Sequence, residues 1–325
     1  MRAVTGAQRA FGAAGALAAV GLSAAVWGTC IERYLFTMRR HELAMLPPGS
    51  PSLTVLHLSD AHMAPWQHRK QAWIAEVAER VQPDLVINTG DNLGHEDGLR
   101  GIRTAFAPLG GVPGAFVHGS NDVTGPSPRN PLRYFQGPSQ RPHRGVDLDT
   151  AAMDAYFRDD LGWVDLNNAA SVIDVAGLHL DAFGVSDAHR DWDDLGVLPG
   201  ELDDIRRHPW GQRSPAPTAL TVGVTHAPYR RVLDAFTDLG ADIIFGGHTH
   251  GGQVRIPFSR SALVTNCDIP RDQARGLSTW THDGRTVPLN VSAGLGHSIY
   301  APVRFACRPE VSVLEIRAAS PVDSA

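Results

Sequence analysis

Nowhere in this chain do two cysteines stand close together. Three are present, Cys30, Cys267 and Cys307, far from one another. No C-x-x-C pair exists, so a zinc knuckle or a thioredoxin-like dithiol does not fit, and an odd count gives no disulfide framework. An excess of positive charge is also missing. Lys and Arg number 29 against 34 Asp and Glu, for a net charge of −5. No overall field draws such a chain to nucleic acid, and no aromatic-basic groove is legible, so no nucleic-acid partner is expected. Internal repetition is absent apart from one tetrapeptide. What remains is a chain of 325 residues, 43% hydrophobic and 19% charged. That is globular composition, enough for one large domain or two small ones.

Charge is absent altogether between Arg9 and Glu32, in "AFGAAGALAAVGLSAAVWGTCI". A membrane-spanning helix needs roughly 20 apolar residues. The run is read as a membrane anchor. A secretory signal, cleaved near Ser23-Ala24-Ala25, and a buried soluble helix are the alternatives. Arg2 and Arg9 precede the run, and Arg33, Arg39 and Arg40 follow it, so the membrane side is not specified. "MLPPGSPSL" then reads as a linker, because Pro47-Pro48-Gly49 and Pro51 oppose regular structure. Three parts are expected: anchor or signal with linker over 1–52, a catalytic domain over 53–317 and a short tail over 318–325.

Five segments share one grammar, a short apolar run and then polar residues able to hold metal. They are "LTVLHLSDAH", "DLVINTGDN", "GAFVHGSND", "LTVGVTH" and "DIIFGGHTH". Such runs suit buried strands. Helical spacing separates some of them: Trp73, Ile74, Val77, Ala78 and Val81 share a face, as do Val232, Leu233, Phe236 and Leu239, with Gly240 as a stop. "SVIDVAGLHLDAFGV" predicts a hairpin turning at Ala176-Gly177, and "VPLNVSAGLG" and "RPEVSVLEIRA" predict further strands of a second, more antiparallel sheet. Alternating strands and helices argue for an α/β fold, in which ligands bind beyond the carboxyl ends of strands. Asp60, His62, Asp91, Asn121, His226, His248 and His250 fall at those ends. Imidazole, carboxylate and amide together suit Mn, Fe or Zn. The glycines before Asp91, Asn121 or its neighbour, and His248 permit sharp turns and close approach.

The repeated tetrapeptide is Ser-Asp-Ala-His, at 59–62 and again at 186–189. The first copy belongs to the constellation. The second is followed by "RDWDD" and reads as a solvated surface loop, with a substrate-facing loop near the metals as the alternative.

The order and spacing of these blocks resemble the calcineurin-like metallophosphoesterase superfamily over residues 53–317. Asp-x-His, Gly-Asp, a lone His and "GGHTHGGQ" are intact here. Within it the chain looks most like the bacterial membrane-associated branch that includes UDP-diacylglucosamine hydrolase-like and other phosphodiesterase-like members. The resemblance implies a four-layer αββα sandwich, two mixed sheets flanked by helices, with two divalent metal ions (Mn, Fe or Zn) at the strand ends. It implies that Asp60, His62 and His250 hold the first ion, that Asp91 bridges, and that His226 and His248 hold the second. It also implies a phosphoesterase using hydroxide generated at the metals on a phosphodiester, pyrophosphate or phosphomonoester, of a lipid or a nucleotide-sugar. A catalytically degenerate regulatory protein and a metallo-nuclease of the same fold are the alternatives.

The third block departs from the pattern. "GSND" stands where Gly-Asn-His-Asp is expected, so the histidine that would protonate the leaving group is missing. Either Ser120 or Asn121 takes the ligand place; Asn121 is favoured, because an amide oxygen is the better neutral ligand. His118 is the candidate substitute acid and Asp122 the orienting carboxylate. Residues 123–146 hold five prolines, four arginines and no acid. Arg129 and Arg133, with Arg141 and Arg144, are the candidate phosphate-binding residues of that loop. His57 reads as structural.

Overall fold

Three apolar cores divide the molecule into four layers. The computed structural model describes residues 6–127, 145–207, 217–259, 261–297 and 299–320. The first sheet contains β1 (Thr37–Leu46), β2 (Leu53–Leu58), β3 (Leu85–Asn88), β4 (Gly114–Phe116), β5 (Val164–Asp165) and β12 (Glu310–Ala318), in the order β1-β12-β2-β3-β4-β5. The second contains β6 (Ala169–Val175), β7 (Leu178–Val185), β8 (Leu220–Thr225), β9 (Ile243–Gly246), β10 (Gly276–His282) and β11 (Arg285–Val291), in the order β10-β11-β9-β8-β7-β6. Both are mixed. β2, β3, β4 and β5 run parallel, as do β7, β8, β9 and β11, while β12 on β2, β6 on β7 and β10 on β11 are antiparallel.

One core lies between the sheets and includes Val55, Ile87, Val117, Leu180, Val222 and Phe245. A second packs helices α2 (His68–Val81) and α3 (Gly98–Phe106) onto the first sheet through Ile74, Val77, Ile102 and Phe106. The third packs α4 (Leu198–Arg207) and α5 (Arg230–Asp238) onto the second sheet through Leu198, Leu202, Val232 and Phe236. This is the expected αββα sandwich, except that the "RPEVSVLEIRA" strand, β12, lies in the first sheet between β1 and β2 and not in the second. Strands buried on both faces need apolar residues at successive positions, which is why β3 and β9 read as unbroken apolar runs. Ala176 and Gly177 both have positive φ, the requirement of a two-residue hairpin between right-twisted strands.

The first sheet begins before Leu53. β1 lies parallel to β12, from Thr37 opposite Glu310 to Leu46 opposite Ala318. The prolines do interrupt the chain, but after this strand. Its charged run, Arg39-Arg40-His41-Glu42, suits an edge strand and disguises it in the sequence.

Upstream, α1 (Gly6–Val26) continues through one wider turn (Trp27–Ile31) and one tighter turn (Glu32–Tyr34). Residues Ala14–Tyr34 form the one helical stretch, among the described residues, long and apolar enough to cross a membrane, with a mean hydropathy of 1.7. Leu17, Val20 and Leu22 are exposed, so this is not a buried core helix, contrary to the third of the sequence readings. Its far end is joined to the folded body. The Gly28 carbonyl accepts from the Arg304 N–H at 3.0 Å, and the buried Glu32 carboxylate accepts from the Cys307 N–H at 2.7 Å.

Candidate metal centre

Strands β2, β3, β4, β8 and β9 each end in a turn that carries polar side chains to one cluster. The turns are tight: Asp60, His62, Asp91, His248 and His250 all have positive φ. Left-handed backbone at residues other than glycine costs about 1–3 kcal/mol each and persists where surrounding contacts enforce it. Some of those contacts are visible. The four backbone N–H groups of Asp91, Asn92, Leu93 and Gly119 all donate to the fully buried Asp122 carboxylate. Gly119 is obligatory, because a Cβ there would lie 2.1 Å from Asp91 Oδ1.

Asp60, His62 and His250 offer ligand atoms that all lie within 4.8 Å of one another, and so do Asp60, Asp91 and His226. Asp91 Oδ2 is 3.5 Å from His62 Nε2 and 3.6 Å from His226 Nε2, between the two groups. His226 Nδ1 lies 2.7 Å from the Thr89 carbonyl, so that nitrogen carries the hydrogen and Nε2 is left as the donor toward metal. His248 Nε2 lies 3.0 Å from the Asn266 carbonyl, and its Nδ1 is 3.3 Å from His226 Nε2. The His226 and His248 imidazoles are thus each fixed by an outer nitrogen with the inner nitrogen turned to the cluster. Asp60 Oδ2 accepts from the Ser59 hydroxyl and the His248 N–H, but Asp60 Oδ1, buried and 3.6 Å from His250 Nε2, has no hydrogen-bond partner. A buried carboxylate oxygen left bare beside imidazole nitrogens is costly unless a cation meets it. The donor set of oxygen and neutral imidazole fits borderline divalent ions.

The electrostatics agree. Burial pushes the His62 and His248 imidazoles down to about 4, the neutral form a metal needs. Burial, with the Asp91 charge nearby, pushes the Asp60 carboxyl up to about 7. Burial would also raise Asp91, but His226, His62 and two hydrogen bonds from Asn121 outweigh it and hold this carboxyl far below its ordinary range.

Asn121 reaches the cluster. Its Nδ2 is 2.7 Å from Asp91 Oδ2, and a half turn of the amide puts oxygen in the same place. Ser120 instead donates its backbone N–H to Asp187. His118 and Asp122 are both engaged by protein groups outside the cluster or along its loop. His118 Nε2 is 2.7 Å from Asp154 and Nδ1 is 3.8 Å from Asp122, and neither carboxylate belongs to the cluster. Burial lowers the His118 pKa, but those two carboxylates outweigh it and push it up to about 10. Asp122 is occupied with backbone N–H groups. Both brace the ligand loop. Arg129, Arg133, Arg141 and Arg144 lie outside the described residues. His57 is fully buried between Thr89 and Asn290, a core histidine as expected.

The second Ser-Asp-Ala-His is not a surface loop. Asp187 is fully buried and accepts the Ser120 N–H at 2.9 Å and the His189 N–H at 2.8 Å. The His189 ring lies 4.5 Å from the His248 ring, with Nδ1 2.9 Å from the Tyr229 hydroxyl. The acids of "RDWDD" misled because Arg231 pairs with two of them, Asp191 and, most closely, Asp193. Arg304 carried no sequence signal at all. It is fully buried, donates to the His250 carbonyl at 2.9 Å and lies 3.2 Å from His250 Nδ1.

A bovine "Transmembrane protein with metallophosphoesterase domain" is 26% identical over 283 residues, 84% of this chain, which itself spans only 55% of that protein. "Uncharacterized metallophosphoesterase YkuE" of Bacillus subtilis (strain 168) is 22% identical over 316 residues, 93% of this chain and 94% of that one. The model of the calcineurin-like phosphoesterase family (Metallophos) matches residues 53–252, the span from β2 to the Gly251-Gly252 turn. The chain belongs to the calcineurin-like phosphoesterase family.

Proposed function

We propose that this protein is a membrane-tethered phosphoesterase that uses two divalent metal ions to hydrolyse a phosphodiester or pyrophosphate, carried on a lipid or a nucleotide-sugar. The observation that carries the reading is the bare, buried Asp60 Oδ1, shared by two groups of residues each suited to one cation. Asp60, His62 and His250 would hold one ion, His226 and His248 the other, and Asp91 would join them, with Asn121 completing the set. Bound there, divalent ions supply Lewis acidity to a phosphoryl oxygen and make water acidic enough to attack near neutral pH. The protein's own part is to hold the donors rigid and to shape a dry floor beneath the substrate. The tether is the exposed apolar helix ending at Tyr34; the bovine relative's name, a transmembrane protein, supports it. Regulation without turnover is the weaker reading, because a bare cluster of this kind would be costly to maintain unused.

Metal analysis together with turnover of bis(p-nitrophenyl) phosphate tests the proposal. Two equivalents of metal and metal-dependent turnover are expected. Metal without turnover of any phosphodiester or pyrophosphate would favour the regulatory reading. The missing histidine sharpens the expectation. A positioned general acid contributes about 10²–10⁴ in rate. Position 121 is Asn, and His118 is bound to Asp154. Aryl phosphodiesters and pyrophosphates should therefore be cleaved at least about 100-fold faster than alkyl phosphomonoesters. The rate should fall steeply as the leaving-group pKa rises. A flat dependence would show that another group delivers the proton.

A further inference from the structure

The turn that lacks a histidine is tied to a loop that has one. Ser120, in the altered "GSND", donates its N–H to Asp187 at 2.9 Å, and Asp187 in turn accepts the N–H of His189 at 2.8 Å. The side chain of Asn121, next along, lies on Asp91. His189 therefore stands across one shared carboxylate from the position where the family pattern places an imidazole. Its ring leans on His248, on the His226 side of the cluster, and is only partly buried. Nδ1 meets the Tyr229 hydroxyl at 2.9 Å, and Nε2 makes no hydrogen bond among the described residues. Tyr229 has a single hydrogen, and its other contact, to the Asn266 carbonyl, is longer at 3.4 Å. The geometry thus has the tyrosine donating to Nδ1, which leaves the hydrogen of the neutral ring on Nε2.

We propose that His189 is a substrate-contacting residue whose Nε2–H donates a hydrogen bond to an oxygen of the bound phosphoryl group. The second Ser-Asp-Ala-His would thereby supply, from another strand end, the imidazole that the Gly119–Asp122 turn lacks. It does so as a hydrogen-bond donor, not as a proton donor, because with Nδ1 engaged by Tyr229 the loss of the Nε2 hydrogen would leave an imidazolate. This is consistent with the steep leaving-group dependence expected above, and it rests on the phosphoesterase reading.

The test uses full-length protein in detergent, loaded with Mn²⁺, with inorganic phosphate as the calorimetric probe and bis(p-nitrophenyl) phosphate as substrate. His189→Phe keeps a ring against His248 and removes the donor. It should retain two metals, weaken phosphate about 10- to 100-fold, the worth of a hydrogen bond to a charged acceptor, and lower kcat/KM to a similar degree. His189→Gln, which keeps an N–H, should recover part of both. In ¹⁵N-histidine-labelled protein loaded with diamagnetic Zn²⁺ instead, His189 should show the Nε2–H tautomer and shift on adding phosphate, and Tyr229→Phe should mix the tautomers. Phosphate affinity within twofold of the parent in His189→Phe would overturn the proposal. So would loss of metal from that variant, or an Nδ1–H tautomer in the parent. If the parent hydrolyses no phosphodiester yet binds phosphate through His189, the phosphoesterase reading falls and this one stands. If it binds no phosphate at all, His189 has no such ligand and the proposal falls.

Discussion

A chain that begins at Pro47 should not accumulate as folded, soluble protein, even though the family match starts only at residue 53. Deleting 1–46 removes β1, and with it the ladder on β12 and the buried side chain of Leu46. It also removes Arg39, the ion-pair partner of the fully buried Glu310. Breaking a buried pair costs about 3–5 kcal/mol, full burial of a leucine is worth about 1.5–3, and each ladder hydrogen bond adds about 0.5–1.5. Together these rival the whole stability of a domain, about 5–15 kcal/mol. The damage is directed at the site as well. Glu310 accepts the Ala293 N–H and donates its own N–H to the Gly294 carbonyl, and Gly294 lies against Asp60. A chain that begins at Trp27 keeps β1, Gly28 and Glu32. It should be soluble, or readily solubilised, and metal-loaded. Solubility, thermal unfolding and metal content of the two truncations check this. A truncation at Pro47 with parental Tm and full metal content would show that β1 is dispensable.

Asp91→Ala should lower kcat/KM by about 10³–10⁵, at about 1.4 kcal/mol for each factor of ten. One carboxylate oxygen stands near both His62 Nε2 and His226 Nε2, so its loss should deplete both metals rather than one. Stability should fall as well. Without metal, His226, His62 and two hydrogen bonds from Asn121 favour the ionised Asp91 carboxylate, so at neutral pH the metal-free variant should unfold below the parent's temperature. Added metal at about 100 times Kd should stabilise the parent by about 2.7 kcal/mol and the variant by far less. Retention of two metals with parental activity would remove Asp91 from the centre. Measuring metal content, activity and the metal-induced rise in Tm on one preparation separates a site defect from general misfolding.

The layers of the fold were legible because they rest on periodicity. Buried parallel strands must be apolar throughout, helices must repeat at three and four, and the residues at strand ends follow from direction alone. The candidate ligands were legible for the same reason, each closing an apolar run. β1 was not, since an edge strand tolerates Arg39, Arg40, His41 and Glu42, and those residues look like a linker. Arg304 was not, because its value lies in carbonyl groups of distant turns, which no spacing encodes. The second Ser-Asp-Ala-His was visible as a repeat but misjudged. Its neighbouring acids looked solvated, and their neutralisation by Arg231 from another helix exists only after folding.

The hydrogen bonds at Gly28 and Glu32 have a mechanical consequence. A domain hung from a membrane by a loose linker sweeps through a hemisphere and meets phosphates at any height. Here the end of the apolar helix is clamped to the loop carrying Arg304, and Arg304 grips His250. If α1 spans a bilayer, the candidate metals ride on a rigid post and work at one altitude. Phosphodiesters displayed from vesicles on spacers of graded length should then show a sharp optimum in turnover. Inserting a flexible glycine segment between Tyr34 and Thr37 should not broaden that optimum, because the clamp lies on the helix side of the insertion.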